Sequence, residues 1–334
     1  MDAPQPPRLT QTVRILLTGA TGFIGSELVR QLAVTEHHLR VMVHRPARAA
    51  LLAGVDVEPV YGDLRSVPSL RSAVEGIDVV IHLGARATFE SLSRLSPTIV
   101  EGTAQLARVG AEAGVEHIVY GSSMFVYDGT TAVDDDTVAN PTIDYGRAKL
   151  SAESAISRIA DAGGPTVANV RLPHVYGPQS LLFGLVRHGR VLFPGSGKNP
   201  FAQLHVEDAA RVLIAAATQR WSGTAPVADD AIVTWNDFFD VLGIFAPDVR
   251  VLRVPQPLAT GTAALGGALL GRLGPTMVSA DTVRGWNLSL PLTSRTLWSE
   301  LGLDPRYPSV VQGIPATLDG YVAFRWRHPL FDRS

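Results

Sequence analysis

Val13-Arg-Ile-Leu-Leu-Thr-Gly-Ala-Thr-Gly-Phe-Ile-Gly25 is the stretch on which the fold of this 334-residue chain turns. Val13 to Thr18 is an apolar, β-branched run that reads as a buried strand. It passes directly into Gly19, and Phe23 to Ala33 then carries helical periodicity. Strand, glycine turn and helix in that order form the context in which a glycine motif has a physical job. Gly19 makes the tight turn, Gly22 lets backbone approach a pyrophosphate, and Gly25 lets the helix pack on the strand. The helix N-terminus, with Thr21, Phe23 and Ile24 around it, supplies N–H donors and the positive end of the helix dipole.

The chain beyond repeats the same alternation. Leu39 to Val43, Val55 to Val60, Asp78 to Leu83, Glu116 to Tyr120 and Thr166 to Leu172 read as strands, with helical patterns at Val67–Val74, Pro97–Ala113 and Asp144–Ile159. Such β-α-β-α order predicts an α/β fold, a Rossmann-type doubly wound parallel sheet with helices on both faces. We read residues 1–12 as a flexible tail and 13–178 as the dinucleotide-binding domain. Residues 179–334 read as a smaller C-terminal substrate or lid domain, with 201–220 returning to the first. In that domain Pro194 to Phe201 reads as a hairpin or loop, and Pro257 to Gly271 as a mobile lid or substrate-facing helix. The end of the second strand lies 44 − 25 = 19 residues past the last glycine, where an NAD site places an acid on the ribose hydroxyls. His44, Arg45 and Arg48 stand there instead, three cations suited to a 2′-phosphate, which predicts NADP(H) over NAD(H).

Hydrophobic residues make up 46 % of the chain, enough for a full core, and the net charge of −2 gives no pull toward nucleic acid or anionic membrane. The absence of cysteine excludes disulfides and Cys-ligated metals and suits a reducing interior. No metal site is expected, since Asp134-Asp135-Asp136 reads as a solvated loop. The Pro-rich start lacks an apolar signal segment, and Pro257–Gly271 is too short to span a bilayer. These features predict a cytoplasmic monomer or homodimer without a membrane span.

Of 29 basic residues only Lys149 and Lys198 are lysine. Lys149 falls four positions after Tyr145, on one helical face. A lysine held near a phenol favours the phenolate, so the pair predicts an acid/base couple with a lowered tyrosine pKa. Together Thr18–Gly25, Gly62-Asp63-Leu64, His82-Leu83-Gly84-Ala85, Ser122-Ser123-x-x-Val126-Tyr127, Tyr145-x-x-x-Lys149 and Arg171–Pro178 resemble the extended short-chain dehydrogenase/reductase family. The resemblance implies that Ser123 polarises a substrate carbonyl, that Tyr145 is the general acid, and that Lys149 assists it while bonding the nicotinamide ribose. It further implies adenine contacts from Asp63 and Leu64, cofactor walls at Leu83, Gly84 and Ala85, and Pro173 beside the nicotinamide. His82, His174 and His205 are expected to pack or to support backbone.

Within that family a sugar dehydratase carries an Asp-Glu pair after the catalytic hydroxyl residue, whereas Met124-Phe125 follow Ser123 here. A nucleotide-sugar epimerase carries a cation before the helix at Val206–Ala216, where Pro200 to His205 has none. The segment Gly195-x-Gly-x-Asn199 followed by His205-Val-Glu-Asp208 looks more like the sterol-dehydrogenase and flavonol-reductase branch. The sequence predicts an NADPH-dependent ketoreductase with an apolar substrate cleft built from Met124, Phe125, His174, Leu182 and Phe183. The Ala-, Gly- and Arg-rich composition points by association to a high-GC bacterium and to tailoring of a secondary metabolite such as a polycyclic aromatic polyketide. The alternatives are an epimerase and a catalytically silent NADP-binding regulatory or assembly protein.

Overall fold

The computed structural model describes residues 12–129, 132–270 and 278–327. Seven strands form one parallel sheet: β1 (Arg14–Thr18), β2 (His38–Val43), β3 (Glu58–Tyr61), β4 (Val79–His82), β5 (His117–Ser123), β6 (Thr166–Leu172) and β10 (Gly223–Pro226). Their order is β10-β6-β5-β4-β1-β2-β3. The reversal between β1 and β4 opens a crevice at the strands' C-terminal ends, the place where such sheets bind ligands. Helices α1 (Phe23–Leu32), α2 (Val67–Val74), α3 (Leu92–Ile99), α4 (Glu101–Ala113), α5 (Asp144–Asp161) and α7 (Val206–Thr218) flank the sheet.

Alternation along β1 assigns the two faces. Ile15 and Leu17 pack with Leu28 and Leu32 of α1 and Val212 and Leu213 of α7. Leu16 points the other way, toward Leu70 of α2, Leu106 of α4 and Ala152 and Ile156 of α5. The pattern expected over Pro97–Ala113 is two helices: α3 contains Pro97 and stops at Val100, which caps α4. Pro97 itself lies inside α3, where it removes one backbone donor and crowds the turn before it, while the division falls three residues later at Val100.

After β7 (His174–Tyr176), α6 (Leu181–Arg187) and β8 (Arg190–Pro194), the chain returns through β9 (Gln203–His205) and α7. It returns again as β10, which pairs β6 in parallel. After α8 (Trp235–Phe245), β11 (Arg250–Val254), α9 (Gln256–Leu270) and α10 (Ala280–Asn287), the short α11 (Thr296–Glu300) lays Leu297 and Trp298 into the α1/α7 core. The Rossmann unit thus draws on residues well beyond 220. Of the two readings of 194–201, hairpin or loop, the structure shows a loop: β8 ends at Pro194 and pairs in parallel with the distant β11 instead of folding back on this stretch. A second core of Phe183, Phe193, Phe201, Trp235, Phe238 and Leu242, closed by Ile314 of α12 (Val310–Arg327), fills the C-terminal unit. Each ring buried there contributes about 1.5–3 kcal/mol, which makes that unit a packed body in its own right.

One buried acid is poorly served. Asp229, just past β10, is 7 % exposed, and its carboxyl oxygens have no well-aligned hydrogen-bond partner among the described residues, the Ala231 backbone N–H offering only a partial one. The Tyr176 hydroxyl and His205 Nε2 are unpartnered among those residues. Burial pushes the Asp229 carboxyl from its ordinary 3.8 up to about 8. The folded protein therefore keeps a proton that the unfolded chain releases once pH passes about 4, so stability falls as pH rises between those values. Asp229→Asn is expected to match the wild type at pH 4 and to exceed it by about 1–3 kcal/mol at pH 8. Urea midpoints at both pH values check this, and a gap of equal size at both would refute it.

Candidate active site

The nucleotide end is built from backbone. Gly19 has φ +77, and a Cβ there would lie 2.8 Å from the Leu83 carbonyl carbon. A Cβ on Gly25 would run into the Gly19 carbonyl oxygen, so α1 can approach the turn only with glycine. Gly22 caps α1 without a side-chain hydrogen bond, leaving the helix N-terminus open for an anion. This cradle, which a Cβ would fill, fits the pyrophosphate of a dinucleotide. Thr21 sits in the turn, and Phe23 and Ile24 start the helix half-buried beside it. Beneath it, Gly84 N–H donates to Thr18 Oγ1 at 3.0 Å, and Thr18 Oγ1 meets His82 Nδ1 at 2.6 Å. His82 Nε2 meets Thr103 Oγ1 at 2.9 Å. Burial holds His82 down to about 3, hence neutral, and it acts as a strut that orders the Gly84 end of β4.

At the end of β2, His44, Arg45 and Arg48 are exposed. Arg48 Nη1 donates to the Thr21 carbonyl at 3.3 Å, which brings this cluster onto the glycine turn. Arg45 has no side-chain partner among the described residues. His44 Nδ1 lies 3.8 Å from Asp63, whose carboxyl Arg65 holds down at about 2. Leu64 is buried against Gly84 and Gly102. Ala85 follows Gly84 half-buried, and Pro173 stands half-buried between β6 and β7.

The chemical end is set by how α5 lies along residues 121–125. Lys149 Nζ donates to the Gly121 carbonyl at 2.7 Å. One turn earlier, Gly146 abuts the Phe125 carbonyl so closely that a Cβ would lie 2.8 Å from its carbon. Ser123 stands between these two contacts. Its Oγ accepts the Phe125 N–H at 3.2 Å, which leaves the hydroxyl proton to donate outward. The Tyr145 ring lies 5.6 Å from Phe89 and 6.2 Å from Phe125, centroid to centroid.

The expected lowering of the Tyr145 pKa is not found; burial pushes the phenol up to about 12. Lys149 is itself pushed down to about 8 by burial, and its Nζ lies 5.8 Å from the Tyr145 ring centroid and 4.7 Å from that of Tyr120. Desolvation disfavours a phenolate here more than the distant ammonium favours it.

Of the residues read as an apolar cleft, Phe125 lines the site. Met124, Leu182 and Phe183 do not, because their side chains are buried in the second core. His174 is packed between Trp235 and Phe238, with Nδ1 2.6 Å from Gln203 Oε1, and burial holds it near 4. It supports the wall from behind. The opposite wall is Phe89, which no periodicity in the sequence marks. Gly285 of α10 packs on both Phe89 and Phe125. Ser279 Oγ donates to the Phe89 carbonyl at 2.6 Å, and Asp144 N–H donates to Asp281 at 3.0 Å, so α10 is clasped to both sides of the cleft. Arg86 and Arg94 both pair with Glu90 beside that wall. No group of acids and histidines suited to a metal ion occurs among the described residues, and none of the described helices is long and apolar enough to cross a membrane.

Comparison with known proteins gives three findings. The model of the NAD dependent epimerase/dehydratase family matches residues 15–227. A ceramide reductase of Caulobacter vibrioides is 28 % identical over 326 residues, 93 % of this chain and 95 % of that protein, and sterol demethylase protein B of Methylococcus capsulatus is 34 % identical over 149 residues, 41 % and 44 % of the two chains. The solved structure of MoeE5 in complex with UDP-glucose and NAD superposes with a TM-score of 0.75 at 24 % identity, covering 94 % of this chain and 99 % of that one, a likeness of fold.

Proposed function

We propose, on the premise that this chain belongs to the NAD dependent epimerase/dehydratase family, that it is a reductase of bulky apolar ketones. The observation that supports this reading is that Tyr145 packs against Phe89 and Phe125, with Lys149 Nζ 5.8 Å from its ring centroid and Ser123 Oγ holding the Phe125 N–H. No acid follows Ser123 to eject water, and the nearby Arg86 and Arg94 are engaged by Glu90 and not offered to a diphosphate. Relatives named for ceramide and sterol chemistry support an apolar, lipid-like substrate, with polycyclic ketones of the same class.

A bound reduced nicotinamide dinucleotide would supply the hydride. The chain's residues do the rest. Ser123 donates its hydroxyl to the substrate carbonyl oxygen and sets the carbonyl's orientation. Tyr145, which keeps its proton at neutral pH, delivers it to the oxygen as negative charge develops there. Lys149 spends one of its three donors on Gly121, leaving two for ribose hydroxyls. The apolar rings exclude water, which strengthens both donations.

Turnover of NADPH with a panel of long-chain and polycyclic ketones tests the reading. Epimerisation of a nucleotide sugar with no ketone reduced would overturn it. The NADP preference belongs to the same proposal and rests on His44, Arg45 and Arg48 in place of an acid; the MoeE5 structure holds NAD. Arg45→Ala is expected to weaken NADPH binding about tenfold and leave NADH binding unchanged. Equal affinities for the two in the wild type would sink that preference.

A further inference from the structure

Beneath the proposed site lies a closed network that none of the steps above uses. Glu153 follows Lys149 by one turn of α5 and is 4 % exposed. Arg171 of β6 grips it with two bonds, Nε to Oε1 at 3.1 Å and Nη2 to Oε2 at 2.8 Å. The Ser122 hydroxyl of β5 donates to the same carboxylate. Arg171 Nη1 donates to the Tyr127 hydroxyl at 2.9 Å. Ser122 stands between Gly121, whose carbonyl receives Lys149, and Ser123.

Stability alone explains such a pair poorly. Desolvating two ions costs several kcal/mol each, and apolar replacements of the same volume are often neutral or better. What the pair does secure is geometry and charge: one carboxylate joins the ends of β5 and β6 to the helix that carries Tyr145 and Lys149. Around the Lys149 ammonium stand Tyr120 of β5, Tyr145 and Glu153 of its own helix, and His82 of β4. Tyr127 and Arg171 lie one step further out. Glu153 is the neighbour that favours the charged form of Lys149 against burial.

We propose that Glu153 is a positioning residue for Lys149: clamped by Arg171 and Ser122, it holds the end of β5 so that Gly121 receives Nζ, and it stands one turn of α5 from that ammonium as its buried counter-charge. The role in turnover rests on the reductase reading, whereas the coupling to Lys149 does not. The chain's two lysines make that coupling directly visible. With ¹³C-labelled lysine, NMR of the full-length protein follows Lys149 through its titration, with exposed Lys198 as the comparison signal.

In Glu153→Gln, Arg171 remains as an uncompensated cation, and the Lys149 midpoint is expected to fall by about one pH unit or more. Lys198 should not move. The rate of ketone reduction above neutral pH should fall roughly tenfold with little change in KM, in line with a one-unit shift. A folded Glu153→Gln protein with a lower melting temperature but an unmoved Lys149 midpoint would reduce Glu153 to a structural staple and overturn the proposal. Should that variant fail to fold, the double variant Glu153→Gln/Arg171→Met leaves no uncompensated charge and carries the test. Its Lys149 midpoint should lie below the wild type's, and an unmoved one is again the overturning result. A shifted midpoint in a protein that reduces no ketone would uphold the coupling and defeat the reductase reading.

Discussion

Tyr145→Phe is expected to slow ketone reduction by about 10²- to 10⁴-fold while NADPH binding stays intact. The phenol is partly buried against Phe89 and Phe125, so the change removes one oxygen and leaves the ring packing in place. Its proton is retained to about pH 12, so the acid is loaded throughout the physiological range. On the proposed mechanism the group that sets the alkaline limit is Lys149, which burial pushes down to about 8. The wild-type rate should therefore decline above that pH, well before Tyr145 ionises. Stopped-flow hydride transfer at several pH values tests both statements. An undiminished rate in Tyr145→Phe would mean that the proton comes from elsewhere, for instance from an acidic hydroxyl of the substrate beside its ketone. If bound dinucleotide also fails to turn over in the wild type, a silent binding protein is the better reading.

Gly146→Ala should unfold the site from the opposite direction. In an isolated helix alanine is favoured over glycine by about 1 kcal/mol. Here the added methyl would collide with the Phe125 carbonyl, a backbone atom in the tight turn that follows β5 and cannot swing aside. Overpacking of this kind costs about 1–3 kcal/mol or more and wins over propensity. The helix must retreat, stretching the Lys149–Gly121 bond and moving Tyr145 off the Phe125 wall. We expect a net loss of about 2 kcal/mol in urea unfolding together with most of the activity. Gly243→Ala is the control: it lies in α8 with nothing near its missing side chain, and should gain about 0.5–1 kcal/mol. If Gly146→Ala is as stable as the wild type, α5 is not pinned to residues 121–125 in the way described.

The parts of the protein legible in its sequence are those written in local pattern. The turn at Gly19–Gly25, the alternation that predicts a parallel sheet, and Lys149 one turn after Tyr145 all depend on spacings of two, three or four residues. Strand and helix geometry convert such spacings directly into shared faces. Ser123 belongs with them, since it ends a strand whose neighbours announce it. Less legible was anything that needs a partner far away. Phe89 is an aromatic in an unpatterned loop, and becomes a wall only because α10, nearly 200 residues on, holds it with Ser279. Leu182 and Phe183 look like cleft residues in sequence, yet α6 turns them into the second core. β10 joins β6 across more than 50 residues, and no periodicity predicts that.

By itself, then, the sequence determined the Rossmann sheet, the dinucleotide cradle and the helical face that bears Tyr145 and Lys149, because each follows from backbone geometry over a few residues. Only the tertiary structure decided the electrostatics of that face. Burial raised the phenol and lowered the ammonium, the reverse of what their spacing alone implied for Tyr145, because desolvation depends on everything packed around a group and not on its neighbours in the chain.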